Sequence, residues 1–415
     1  MRRSIASIKV AEFGARSLLM LLCMYLLPAS EAALFGSIML FVGLFGFVVG
    51  FERYIDIQRR MPAMSDLDLR GAIASFAKLV AVGYVALIPP LYLFLVHFCG
   101  ATRDQALLAV MVAVVEHASQ ECYRIVLVTH RHRILLVGSA VKTMAVLLAV
   151  MAGGFVRREP LSIDAVLAWW AAIGCVWLVP TLFGIQPILR SGRAGEIISI
   201  RSQLSRSRRH FAIGLVALLA IQADRLVAIR MLGAEDLAQY FRAVMTAGAV
   251  YQLLTVVSFN RIAGDAYLGL QRGAWQAVRE TFRRERMVYV AALVLIPPCI
   301  EIVRRWCGIP WLQAALPPLP AVALASGAVL LRGISDFESI VLNHAHRESR
   351  VFLANAVATT VAIAATLLLG AVFGLEGLLA GAVAGSGVAA LVLWRSAASV
   401  PNQLGPQRYT DEFRA

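Results

Sequence analysis

Ionisable residues occur in this chain at places where the surrounding sequence is almost wholly apolar. Gln222, Asp224 and Arg225 interrupt one such stretch and Arg242 the next. Glu116 and His117 lie within another, Lys142 in the one after it, and Lys78, Arg332 and Asp336 in two more. Arg16, Arg53 and Arg261 stand at or just beyond the ends of apolar stretches. Groups of this kind support two chemistries. Cationic side chains bind phosphate oxygens, arginine through a planar fork that takes two oxygens at once. Carboxylates and histidine carry protons or cations.

Each residue also has a purely structural reading. Asp224 and Arg242 fall at similar depths on consecutive stretches and could pair, which leaves Arg225 as the candidate for an anion. Glu116 and Lys142 could neutralise one another, and His117 is either a packing histidine or a proton relay. Lys78 can snorkel toward water. Arg332 and Asp336 have the i,i+4 spacing of an intrahelical pair. Arg16, Arg53 and Arg261 serve as interfacial anchors or, where they converge, as a basic mouth for phosphate or pyrophosphate.

The elements that must position these groups are membrane spans. Of 415 residues, 60% are hydrophobic and 15% charged, against about 45–50% and 25% in soluble proteins. Stretches 34–51 and 352–374 contain no charge at all. About 18 apolar residues suffice to cross the hydrocarbon layer as a helix, the form that satisfies the backbone internally. The expected fold is therefore an all-α polytopic membrane protein. Its twelve spans fall near 14–30, 34–52, 71–95, 104–126, 134–152, 163–185, 210–231, 236–258, 287–303, 317–338, 350–370 and 375–394. With both termini cytoplasmic, 29 of the 39 Lys and Arg residues fall on the inner side and 5 in outer loops, the bias that sets orientation. That bias accounts for the net charge of +14 without a nucleic-acid partner. The basic start, the apolar run Leu18–Leu27 and Pro28-Ala29-Ser30 resemble a signal peptide but read here as an uncleaved first span. Trp306, Trp311 and Trp394 fit interfacial belts.

The halves look duplicated. Phe51-Glu52-Arg53 recurs as Phe259-Asn260-Arg261, and Leu87-Ile88-Pro89-Pro90 as Leu295-Ile296-Pro297-Pro298, both at an offset of 208. Two matches at one offset, in corresponding spans, imply a parallel repeat. The expected organisation is a six-helix lobe over 1–189, a basic connector over 190–209, a second six-helix lobe over 210–395 and a cytoplasmic tail over 396–415. Pro89, Pro90, Pro297 and Pro298 should kink spans 3 and 9, as gates or as packed bends. Stretch 264–285 reads as one amphipathic interfacial helix with Leu268, Trp275, Val278 and Phe282 on its apolar face. Gly377, Gly381 and Gly385 have the small-xxx-small spacing of close helix packing.

Signatures of soluble enzymes are missing: there is no P-loop, no GxGxxG after a strand and no HExxH. His130/His132 and His344/His346 lack a third ligand, and Ser139–Lys142, with SxxK spacing, lacks companion motifs. No metal or cofactor is expected. The six cysteines form no CxxC and read as buried apolar residues, although Cys99 and Cys307 could pair near the outer ends.

Glu31-Ala-Ala-Leu-Phe-Gly36, Phe51-Glu-Arg-Tyr54, Gln222-Ala-Asp-Arg-Leu-Val-Ala-Ile229 and Leu232-Gly-Ala-Glu-Asp-Leu-Ala-Gln-Tyr240 resemble the Wzx-type flippases. These are the polysaccharide-exporter branch of the multidrug/oligosaccharidyl-lipid/polysaccharide (MOP) superfamily. The resemblance implies two lobes around a cationic central cavity, with a polyprenyl-pyrophosphate-linked oligosaccharide moved across the bacterial inner membrane for surface or exopolysaccharide synthesis. Polysaccharide polymerase and export machinery would be its partners. On that reading Arg16, Arg53 and Arg261 capture the headgroup at the inner mouth, while Arg225 and Lys142 meet it at the midplane. The rivals are a cation-coupled multidrug exporter of the same superfamily, for which Glu116 is the first-half candidate, and an integral-membrane acyl- or glycosyl-transferase.

Overall fold

In a computed structural model of the chain, the described residues are 2–54, 57, 64–128, 132–156, 161–190, 198–345 and 347–400. Every regular element among them is helical. The chain divides into two compact units, Met1–Leu215 and Val216–Ala415.

Unit 1 contains α1 (Arg2–Leu26), α2 (Ala29–Gly50), α3 (Asp66–His97), α4 (Arg103–Val128), α5 (His132–Val156), α6 (Ile163–Arg190) and the start of α7 (Ile200–Met231). Local signals explain several helix ends. Thr102 and Gln105 form a reciprocal capping box at the start of α4, each backbone N–H donating to the other's side chain at 3.0 and 3.2 Å. Ser65 caps α3 by accepting from the Asp68 N–H. The carboxylate of Glu31 on α2 accepts from the Ile163 N–H at 2.6 Å, so one acidic side chain both caps α6 and ties it to α2.

The unit boundary falls later than the basic connector suggested, and the reason is packing. Ile200 and Leu204 lie against a buried cluster around Phe76 and Leu79 on α3. The Gln203 amide donates to the Ser75 carbonyl at 2.9 Å, and the Ile198 N–H donates to Ser75 Oγ at 2.9 Å. The end of the connector therefore belongs to unit 1.

Unit 2 continues from α7 through α8 (Ala234–Leu254), a π-helical turn (Thr255–Phe259), α9 (Asn260–Gln271), α10 (Trp275–Val294), α11 (Ile296–Trp306), α12 (Pro310–Ala315), α13 (Leu319–His344) and α14 (Glu348–Ala398). The expected single amphipathic helix over 264–285 is two helices, because Gly273 at φ +73° turns the chain between α9 and α10. Val278 and Phe282 are buried in the unit, whereas Leu268 is exposed. The two double prolines behave differently. α3 runs unbroken through Pro89 and Pro90, whereas Leu295 separates α10 from α11 just ahead of Pro297 and Pro298. That break is shallow, since the Leu295 N–H still reaches the Ala291 carbonyl and its own carbonyl accepts from Cys299.

Nine of the described helices are long and apolar enough to cross a bilayer. One of them, α14, is two arms joined at Gly374, whose φ of 57° and ψ of −129° reverse the chain. α1 and α4 add two further long helices whose charged residues lower their hydropathy. Together they make the twelve spans read from the sequence, and the chain is a multi-pass membrane protein. Val85, Val176, Leu368 and Val372 are at least 70% exposed, as side chains facing lipid must be. All six cysteines, Cys99 and Cys307 included, are free thiols.

The glycine spacing in α14 brings its arms together. A Cβ on Gly377 would lie 2.0 Å from the Leu369 carbonyl oxygen, and one on Gly381 2.5 Å from backbone atoms of Thr366. Gly264 in α9 has nothing within 4 Å of that position. Gly381→Val should therefore destabilise the purified protein by about 1–3 kcal/mol or more through overpacking, while Gly264→Ala should stabilise it by about 0.5–1 kcal/mol. Thermal unfolding in detergent checks both, and equal melting points for the two variants would refute the close approach.

Candidate functional site

Each unit gathers charge in its interior, with opposite results. In unit 1 the centre is Glu116 on α4. Lys142 Nζ on α5 donates to its Oε1 at 2.6 Å, and Trp170 Nε1 on α6 donates to the same oxygen at 2.9 Å. Arg16 on α1 lies 4.0 Å from Oε2. Four helices thus converge on one carboxylate. The hollow beside it, lined by Arg16, Leu19, Thr143 and Val146 as well, holds only about 10 Å³, which is room for no more than a water. Ser139, three residues before Lys142, donates to Glu12 on α1, so the SxxK spacing serves two separate structural contacts.

One residue along α4, His117 Nδ1 lies 2.8 Å from the Tyr84 hydroxyl, and Nε2 lies 3.5 Å from Glu121. Arg53 follows two residues of positive φ, Phe51 and Glu52, and is only 2% exposed. The Phe51 ring stacks on Phe211 at 3.9 Å between centroids. Lys78 is exposed. The side chain of Arg261 lies outside the described residues.

The charged interior of unit 2 is roomier than the Glu116 cluster. A cavity of about 290 Å³ lies among α7, α8, α13 and α14. Gln222, Asp224 and Arg225 reach it from α7, Tyr251 and Gln252 from α8, Arg332 from α13 and Ser386 from α14, with aliphatic residues and Gly248 filling the remainder. Its volume is near the lower end for small-ligand pockets. Asp224 accepts from the Tyr240 hydroxyl at 2.5 Å, so the partner found for this acid is a phenol on α8. Arg242, the partner considered from the sequence, is buried on α8 and does not line the cavity. Asp336 accepts from the Tyr251 hydroxyl. Arg332 has Asp336 at 3.5 Å and Asn355 Oδ1 at 3.3 Å. The Asp336 contact is made by Arg332 Nε, whereas Arg225 Nε is buried without a hydrogen-bond acceptor and Gln222 Oε1 without a donor. Buried donors are normally satisfied, and arginine has five of them.

The structure thus brings together Asp224, Arg225 and Arg332 around one hollow, with Asp336 paired to Arg332, and Arg16, Glu116 and Lys142 around another. Sequence reasoning missed Tyr251, Gln252 and Asn355, polar residues inside spans 8 and 11 whose position was itself a signal. It also missed the ion pair of Arg286 on α10 with the buried Glu338. Phe337 lies beneath that guanidinium at 5.8 Å. No cluster of three metal-ligating side chains occurs among the described residues.

No family model matches the sequence, and no curated protein matches it. Solved structures do match. The fold is similar to the lipid II flippase MurJ in an inward closed conformation, with a TM-score of 0.71 at 12% identity, covering 95% of this chain and 86% of that one. It is similar to an inward-facing MATE multidrug-resistance transporter of the MOP superfamily, with a TM-score of 0.73 at 11% identity, covering 95% and 96%. The Vibrio cholerae MATE transporter VcmN matches at 0.59 and 15% identity, over 97% and 98%. The chain has the fold these transporters share.

The unit 1 cluster makes a stability prediction. Removing one partner of a buried ion pair costs about 3–5 kcal/mol, whereas replacing both is often close to neutral. Lys142→Met should therefore unfold the protein at markedly lower temperature. Adding Glu116→Gln, which keeps an acceptor for Trp170, should recover much of the loss. A double-mutant cycle by thermal unfolding measures the coupling, and simply additive losses would show that the two residues do not depend on each other.

Proposed function

We propose that this chain is a flippase that carries a polyprenyl-pyrophosphate-linked oligosaccharide across the bacterial inner membrane for surface or exopolysaccharide synthesis, with both termini cytoplasmic. The observation that supports it best is the pair Arg225 and Arg332 on one 290 Å³ hollow, within helices whose outer surfaces are apolar. A pyrophosphate headgroup cannot cross hydrocarbon uncompensated. A polar interior bearing guanidiniums lowers that barrier while the polyprenyl chain remains in the bilayer, and alternating access delivers the headgroup to the far leaflet. The likeness in fold to a lipid II flippase is consistent with such a cargo.

Capture at the cytoplasmic side falls to Arg16, whose side chain is 40% exposed, and to Arg261. Lys142 stays with Glu116, which leaves the midplane step to Arg225, and Arg53 is buried, which leaves capture at the mouth to the other two arginines. Polymerase and export machinery for the same polysaccharide would be the partners.

A cation-coupled multidrug exporter is the second reading, favoured by Asp224 at the same cavity and by the likeness in fold to MATE transporters. Deletion separates the two. The flippase loses surface polysaccharide and leaves drug tolerance intact, and the drug exporter does the reverse. In the flippase, Arg225→Ala should reduce polysaccharide export at least tenfold while the protein still reaches the membrane at normal level. Unimpaired export by Arg225→Ala would refute the role given to this residue.

A further inference from the structure

The unit 2 cavity is lined by one acid, Asp224, and two arginines, Arg225 and Arg332. Asp224 has the Tyr240 hydroxyl, and Asp336, outside the lining, has the Tyr251 hydroxyl. Arg332 is steadied by Asn355 on Nη1 at 3.3 Å and by Asp336 on Nε at 3.5 Å. The Nε of Arg225 is buried without a hydrogen-bond acceptor. The two arginines come from different helices, α7 and α13, to one hollow. Like charges sharing a low-dielectric space repel, and an anion between them offsets the repulsion while accepting the orphaned Arg225 N–H. A phosphoryl group suits this task, having several acceptor oxygens for a planar fork.

The second orphan narrows the ligand. Gln222 Oε1 is a buried acceptor with no donor, and a phosphate dianion has no proton to give it. A sugar hydroxyl does. A cavity of about 290 Å³ has room for one phosphorylated sugar.

We infer that unit 2 carries its own sugar-phosphate site, in which Arg225 and Arg332 hold the phosphoryl oxygens and Gln222 accepts from a hydroxyl of the first sugar. This deepens the flippase reading and rests on it for the ligand's identity as the reducing-end sugar phosphate of a lipid-linked glycan. Asp336, Tyr251 and Asn355 are positioning residues that keep the Arg332 fork in place.

The test uses glucose 1-phosphate as probe, with inorganic phosphate and glucose for comparison, titrated calorimetrically into the full-length protein in nanodiscs. Glucose 1-phosphate should bind more tightly than phosphate, and glucose alone should not bind. Arg225→Gln and Arg332→Gln should each weaken glucose 1-phosphate at least tenfold, and Arg332→Lys, which keeps the charge and loses the fork, nearly as much. Gln222→Leu should bring glucose 1-phosphate down to the affinity of phosphate. Arg283→Gln, on the exposed face of α10, should change nothing. Melting curves establish that each variant is folded, and Arg332→Lys serves if the glutamine variant is not. Failure of the wild type to bind at millimolar concentration, or binding indifferent to both arginines, overturns the site. If both arginine variants lose binding while polysaccharide export persists, the site stands and the flippase reading falls. If export needs Arg225 but glucose 1-phosphate binding does not, the reading stands and this site falls.

Discussion

A charge inside a hydrocarbon layer must find a counter-charge or water, and the rest of this structure is arranged around that demand. Coulomb attraction there is strong, but so is the penalty for taking each ion out of water. Unit 1 answers by convergence. One carboxylate, Glu116, collects a lysine, an indole N–H and a nearby arginine from three other helices, and the hollow beside it holds only about 10 Å³. Unit 2 answers with tyrosine hydroxyls on Asp224 and Asp336 and with Arg332 on Asp336, and leaves the Arg225 N–H beside a hollow of about 290 Å³. Two units with traces of a common sequence thus hold their buried charges in a tight cluster and beside a roomy cavity.

Backbone irregularities serve the same division. The hairpin at Gly374 exists because one residue adopts a conformation closed to side chains, and because Gly377, Gly381 and Gly385 let the arms meet nearly backbone to backbone. That close packing supplies a stiff wall of the unit 2 cavity, through Ala362 on one arm and Leu379, Ala382 and Ser386 on the other. The repeated Phe-x-Arg positions also coincide with irregular backbone, positive φ at Phe51 and Glu52 in one unit and a π-helical turn ending at Phe259 in the other. At this repeat the shared feature is a departure from regular helix, which the double prolines do not share.

This pattern explains what was legible in the sequence. Spans were readable because a bilayer imposes length and apolarity on each helix independently, and Gly374 or the double prolines altered their continuity without changing their number. Glu116 with Lys142 and Arg332 with Asp336 were readable because few charges enter the spans and each has few possible partners. Tyr240 as the partner of Asp224 was not, since a phenol on the next helix competes with Arg242 and only helix rotation decides between them. The break at Gly273 was missed because hydrophobic periodicity continues across a glycine whose positive φ it does not report. The cavity itself could not be read at all, because it depends on the crossing of four helices and the smallness of Ala325, Ala328 and Ala382.

The contrast between the units bears on which of them can exchange partners. Suppose an anion draws a cation away from its acid. In unit 1, moving Lys142 strands Glu116, whose remaining direct donor is the Trp170 N–H with Arg16 at 4.0 Å, in a space too small for solvent to repair the loss. In unit 2, moving Arg332 leaves Asp336 with its Tyr251 hydroxyl, beside a cavity with room for water or ligand. Either exchange leaves a buried carboxylate short of a cation, but only the second has space beside it for water or ligand to make good the loss. A site that must bind and release its cargo needs the second kind of interior, and a lobe that must keep its shape while doing so needs the first.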